Sequence, residues 1–218
     1  MTESQAHGFT WEKTVKNVYG TNIKASYTRK HDVDANENTI NHCAISIKAT
    51  GSKSVDMGDV KRVHDTLQQE EIHMVVIQYT QDDATGEKVL SAVLEVDLTG
   101  GCDLAFGELT RQEITEFCEL IKKIPKGRAT DEMKKTYLTR LAELNSKTGA
   151  IHLRPKVDSA KQRRVQCSFV NINEFCEKYP ERLLSKNTEG ILHGTQIPVR
   201  IKSERRQRKK KESRQDTH

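Results

Sequence analysis

Ile72 to Tyr79 (Ile-His-Met-Val-Val-Ile-Gln-Tyr) form a nearly continuous apolar run. A short run of this kind is the pattern of a strand covered on both faces. The segments around it alternate in type. Residues 56–69 predict a helix with Val60, Val63 and Leu67 on one face, and residues 89–98 predict another strand. Thr110-Arg-Gln-Glu113 is a capping box that opens a helix with Ile114, Phe117, Cys118 and Ile121 as its buried stripe. A further helix is expected over 131–145, with Met133, Tyr137, Leu141 and Leu144 on its apolar face, and then a hairpin over 150–170. A short helix over 173–179 and a last strand within 191–201 complete the pattern. Strands and helices mixed around one sheet predict an α/β (α+β) layered fold.

Upstream of the apolar run lies the stretch with the most chemistry. Residues 23–34 and 39–49 predict two strands joined by the turn Asp34-Ala-Asn-Glu-Asn38. Side chains two apart in a strand share a face, so Asp32 and Asp34 pair, as do Ser46 and Lys48. Val33, Ile45 and Ile47 then go to the opposite face as core. Before this hairpin, Thr10 can cap a helix carrying Trp11, Val15, Val18 and Tyr19 as an apolar stripe, with Glu12 in its first turn and Gly20 as its stop. Two Asp and one Lys on neighbouring strands are, taken alone, more often an exposed cross-strand pair worth under about 1 kcal/mol.

The order of elements gives those residues a further meaning. An early helix Glu (Glu12), Lys30-His-Asp-Val33 and Ile45-Ser-Ile-Lys48, followed by a helix and a strand, resemble the core of the PD-(D/E)XK nuclease superfamily, which includes restriction endonucleases and Holliday-junction resolvases. The resemblance covers roughly residues 9–80. It implies a restriction-endonuclease-like central mixed sheet flanked by helices and a Mg²⁺-dependent hydrolysis of DNA phosphodiesters, with Mn²⁺ able to substitute. It also implies Asp32 as the metal-binding carboxylate, Lys48 as the motif lysine, Glu12 as the helix acid and Asp34 as the next candidate ligand. The carbonyl of Ile47 would assist Asp32. Ser46 departs from the pattern, since an acid usually stands there. Asp56, Asp59 or Asp65 of the next helix could replace it, and loss of metal binding is the other outcome.

Candidate nucleic-acid contacts lie further on. The 150–170 hairpin places His152, Arg154 and Lys156 on one face, with Lys161, Arg163 and Arg164 at and beyond its tip. A two-stranded ribbon can enter a major groove, and a solvated basic face is the equal alternative. Lys61, Arg62 and His64 are weaker phosphate candidates. Residues 202–218 hold eight Lys or Arg and three acids, whereas the other 201 residues are neutral, with 28 of each sign. The tail is expected to be disordered and able to bind phosphates with strong salt dependence, or to serve as a nuclear-import signal.

The expected organisation is a disordered 1–8, a nuclease-like core at 9–125, a C-terminal helix and β-hairpin region at 126–201 that serves DNA recognition, and the basic tail. No run of about 18 apolar residues predicts a membrane span. The amino terminus lacks the basic-then-apolar pattern of a signal peptide. Five scattered cysteines (Cys43, Cys102, Cys118, Cys167, Cys176) predict reduced, buried thiols in an intracellular protein, cytoplasmic or nuclear. A glycine-rich phosphate loop, a Gly-x-Ser-x-Gly elbow and a His-Glu-x-x-His motif are all missing from the sequence. Three readings remain open: a metal-dependent endonuclease of double-stranded DNA, with a homodimer as the analogy for cutting both strands; a catalytically inactive nucleic-acid-binding protein on a degenerate nuclease core; and an unrelated interaction module.

Overall fold

In the computed structural model, which describes residues 3–20 (side chains from residue 10), 30–82, 84–125, 128–157 and 163–202, the apolar run lies inside strand β3 (Ile72–Asp82). This strand pairs in parallel with β1 (Ala44–Thr50) and antiparallel with β4 (Glu87–Asp97). On the outer edge of β4 lie β7 (Leu183–Asn187) and β10 (Arg200–Lys202), which complete a five-stranded mixed sheet. Met74 and Val76 of β3 join one apolar cluster, while Val75 and Ile77 join another on the opposite face. All four are fully buried, which is why the run carries no polar alternation.

Helix α1 (Glu3–Tyr19) covers one face. Its Trp11, Val15 and Tyr19 pack with Val33, Ile45, Ile47, Val75 and Ile77. Trp11 also donates its indole N–H to the Pro198 carbonyl at 2.8 Å, joining the first helix to the last segment of the sheet. The helix begins before Thr10, so Thr10 is an interior residue rather than the expected cap, and Gly20 follows its last turn.

The opposite face is covered by α2 (Val60–Gln69), α3 (Cys102–Phe106), α4 (Arg111–Lys122), α5 (Asp131–Asn145) and α6 (Ile172–Lys178). With them stands a second, antiparallel sheet of β2 (Val55–Asp59), β6 (Arg164–Phe169) and β5 (Ile151–Lys156). One apolar cluster runs from Ala44 through Val60, Phe117 and Leu144 to Cys176, so the 126–201 region shares its core with the preceding residues. A minor hairpin, β8 (Ile191–Leu192) and β9 (Thr195–Gln196), lies within the expected last strand.

Further elements differ from expectation, and of the expected 23–34/39–49 hairpin the described residues form only the Val33 bridge and, after a turn, β1 from Ala44. Residues 55–59 form a strand instead of the start of α2, because they pair with β6, more than a hundred residues away. On α5, Tyr137 and Leu144 are buried, whereas Met133 is exposed. The strand 183–187 was not expected, and it lies half-exposed at the edge of the sheet, with Leu184 and Lys186 its exposed positions. All five cysteines are free thiols, four of them buried, and burial raises their pKa values, Cys102 to about 11.

The capping box of α4 is realised in full. Glu113 N–H donates to Thr110 Oγ1, and Thr110 N–H donates to Glu113 Oε2. Lys147 donates to the other Glu113 oxygen at 2.6 Å, and this bond together with those from Thr110 lowers the Glu113 pKa from 4.5 to about 2. Thr110→Ala is expected to cost about 1 kcal/mol at pH 7, read from urea midpoints. A depressed carboxylate stabilises above its unfolded pKa. The Glu113 contribution is therefore complete above about pH 4.5 and fades as pH falls toward 2.

Candidate functional site

Strand β1 is an edge strand, so its outer backbone groups need partners. Residues 31–33 supply them. Ile45 N–H donates to the Val33 carbonyl, and both Asp32 N–H and Val33 N–H donate to the Ile45 carbonyl. Val33 and Ile45 form an antiparallel bridge. Two residues further along, Ile47 N–H donates to Asp32 Oδ2 at 2.7 Å. The Asp32 carboxylate is thereby anchored to the strand that carries Ser46 and Lys48.

Ile45 and Ile47 face α1, so Ser46 and Lys48 face the other way, and a small cleft of about 100 Å³ opens there. Asp32, Ser46, Lys48 and Arg62 all line it. Arg62 comes from α2, whose N-cap Asp59 accepts from Lys61 N–H and Arg62 N–H at 3.1 Å each. Just before the cap, Gly58 sits at φ 89° in a bulge of β2, a conformation that favours glycine. A Cβ on Gly58 would stand 3.0 Å from the Arg62 guanidinium. The bulge thus leaves room for Arg62 to lie along the cleft.

At Lys48, Met57 and Arg62 the cleft opens into a broad groove of about 1060 Å³. Its far wall is β5, which contributes His152 and Arg154, both exposed. Their parity is that of the expected hairpin: Ile151 and Leu153 turn into the core. Asp56 also lines the groove, with Oδ1 accepting from Gly58 N–H at 2.9 Å.

Other expected site residues lie elsewhere. Glu12 is in mid-helix on α1, which covers the opposite face of the sheet, and pairs with Lys16 at 2.6 Å. Asp34 lies past the bridge, where the chain has already entered its turn, so the strand parity that would bring it to Asp32 no longer holds. It is not among the residues lining the cleft. Lys61 leans toward Glu119 of α4 at 3.9 Å, and Asp65 is held by Arg111, with Nε–Oδ1 at 2.6 Å. Arg163 donates to the Ile124 carbonyl and so turns away from the groove. Lys156 and Arg164 face each other across β5–β6, beyond the part of the hairpin that lines the groove. Lys161, like the first strand of the expected hairpin up to residue 29 and the basic tail from 203, lies outside the described residues.

Lys30, His31 and Glu70 join the site without an expected role of their own. Both basic side chains line the cleft and are held by the Glu70 carboxylate, His31 Nε2 at 2.7 Å. Burial pushes the Glu70 pKa up, but the bonds from Lys30 and His31 outweigh it and leave the acid below its ordinary range. Lys30 and His31 adjoin Asp32 in sequence and were legible as neighbours. Glu70 comes from the end of α2, with no local signal linking it to them.

The arrangement places one carboxylate (Asp32), two hydroxyls (Ser46 and Thr66), the His31 imidazole and three cationic side chains (Lys30, Lys48 and Arg62) around one concavity, backed by a basic groove. Such a surface can receive a phosphate and fix its orientation. Among the described residues, no group of three or more His, Cys, Asp or Glu is arranged to hold a metal by itself. No helix among them is long and apolar enough to cross a membrane. No protein-family model, curated protein or solved structure matches the chain. The class defined by the fold is therefore a mixed α/β protein, its sheet flanked by helices.

Proposed function

We propose that this chain is a metal-dependent endonuclease of double-stranded DNA, with a restriction-endonuclease-like core. The observation that carries the reading is the shared cleft: Asp32, Ser46, Lys48 and Arg62 line it, and it continues into the groove lined by His152 and Arg154. Asp32 is the only acid lining the cleft among the described residues. Mg²⁺ is commonly bound through one or two carboxylates, several waters and the substrate phosphates, so this donor set fits an ion whose shell the DNA completes. Asp32 would hold it. When bound, Mg²⁺ neutralises phosphoryl charge and lowers the pKa of water.

The chain's own groups supply the rest. Ile47 N–H fixes the Asp32 carboxylate. The Lys48 ammonium orients the attacking water or pairs with the charge that develops on the phosphoryl oxygens. Ser46 offers a neutral hydroxyl beside them. Arg62 spans cleft and groove, where its fork can hold a neighbouring phosphate. The single acid also favours a second reading, a DNA-binding protein without hydrolysis. Incubating the purified protein with plasmid DNA and Mg²⁺ or Mn²⁺ separates the two: binding without nicking under every condition supports the second and rejects the first.

Arg62→Ala and Arg154→Ala test the groove. Each is expected to weaken duplex binding across unrelated sequences and to flatten the plot of log K against log salt by about 0.9 for each phosphate contact removed. Unchanged slopes in both variants would place the DNA elsewhere.

A further inference from the structure

A second cavity, of about 220 Å³, opens beside the groove and shares His152 and Val170 with it. Leu104, Val170, Phe175 and Tyr179 give it one apolar and aromatic side, and polar side chains line the rest. The Phe175 and Tyr179 rings stand 5.1 Å apart, and the Lys178 ammonium lies 5.3 Å from the Tyr179 ring centre. Its backbone floor is already bonded, since Gly149 N–H, Ala150 N–H and Val170 N–H donate to Ala105, Leu104 and Ala150 carbonyls. The side chains that can meet a guest are His152, Asn171, Glu174 and Lys178, with Asn171 Nδ2 already donating to Glu174 Oε2 at 3.4 Å.

This cavity is smaller than the roughly 300–1000 Å³ of pockets for drug-sized ligands. It combines an aromatic wall with both donors and acceptors at its rim. A flat heterocycle with polar edges satisfies both, and such rings are read in pockets by stacking and by hydrogen bonds to their edges. A mouth on the phosphate-binding groove lets the ring arrive attached to a bound strand. We infer that this cavity receives one unstacked nucleobase of the nucleic acid lying in the groove. The inference rests on the nucleic-acid reading of that groove, and it adds a contact that depends on the base rather than on the backbone.

The test measures affinities of the full-length protein, by fluorescence anisotropy, for three duplexes: fully paired, carrying one bulged adenine, and carrying the same bulge as an abasic residue. Unstacking a paired base costs a few kcal/mol, so a base already outside the helix is expected to bind about tenfold or more tighter. The abasic bulge, equally bent but without the ring, is expected to lose that gain. Tyr179 lines the cavity and not the groove, so Tyr179→Leu removes the stacking ring while leaving the groove wall as it is. It is expected to bring the bulged-adenine duplex down to the abasic one while keeping affinity for the paired duplex. Equal affinity of the wild-type protein for all three duplexes overturns the base pocket and leaves the groove standing. Failure to bind any duplex overturns both. Competition by free adenosine 5′-monophosphate at the affinity of the bulged duplex would overturn the strand as the source of the base.

Discussion

Lys48→Ala is expected to slow Mg²⁺-supported cleavage of duplex DNA by about 10²–10³-fold, the scale of losing one donor to developing charge. Binding persists in this variant, because Arg62, His152 and Arg154 still line the groove. Asp32→Asn sharpens the test. The amide oxygen can still accept from Ile47 N–H, so the edge of β1 stays closed while the charge is removed. Cleavage is expected to disappear and the unfolding midpoint to move little. Nicking at the wild-type rate in either variant would reject the assignment of this cleft as the hydrolytic site. The same pair of variants also distinguishes catalysis from binding, since both are predicted to bind DNA.

The other large effect concerns stability, away from the cleft. Glu95 of β4 is almost fully buried. It accepts from Tyr19 Oη at 2.9 Å, and it meets His193 Nε2 at 2.9 Å and His73 Nδ1 at 3.3 Å. It therefore joins the last turn of α1, strands β3 and β4 and the turn between β8 and β9. Burial pushes its pKa up, but the bonds from His73 and Tyr19 and the pull of His193 outweigh it and leave it below the ordinary value. Glu95→Ala leaves the fully buried Tyr19 hydroxyl and the largely buried His73 without their acceptor, and a loss of about 1–3 kcal/mol is expected. Urea unfolding at pH 7 reads it.

The sign of the pH dependence follows from the depressed carboxylate. Its contribution is complete above the unfolded pKa of about 4.3 and is lost as pH falls through the lower folded value. The stability difference between wild type and Glu95→Ala should thus shrink on acidification, and subtracting the variant cancels the Glu113 contribution over the same range. Burial and Glu95 raise the Tyr19 pKa, so at the alkaline end the stabilisation is lost only above pH 10, where the unfolded tyrosine ionises first. A constant difference between the two proteins across the acid range would remove Glu95 from this account.

Much of the site was legible because strand parity is a local rule. Asp32, Ser46 and Lys48 meet in one cleft, with Val33, Ile45 and Ile47 on the face toward α1. The capping box of α4 and the outward set of β5, His152 and Arg154, follow from rules of the same reach. Asp34 lies away from the cleft for an equally local reason, the end of the bridge at Val33, since element boundaries shift by a few residues. Glu12 lies away from it for a tertiary one, because α1 packs on the opposite face of the sheet.

The amino-acid sequence by itself determined that β3 must be covered on both faces, that Ser46 and Lys48 share one side of β1, and that five thiols go unpaired with one another, because periodicity and spacing act over a few residues. Only the tertiary structure decided that residues 55–59 are a strand, since their partner is β6, and that Arg62 therefore stands over the cleft at the end of a glycine bulge. It alone brought Glu70 to Lys30 and His31, Glu95 to Tyr19 and His193, and His152 to the rim between groove and base-sized cavity. Those meetings depend on which strand edges and buried polar groups find each other across the fold, and no short window of sequence carries that information.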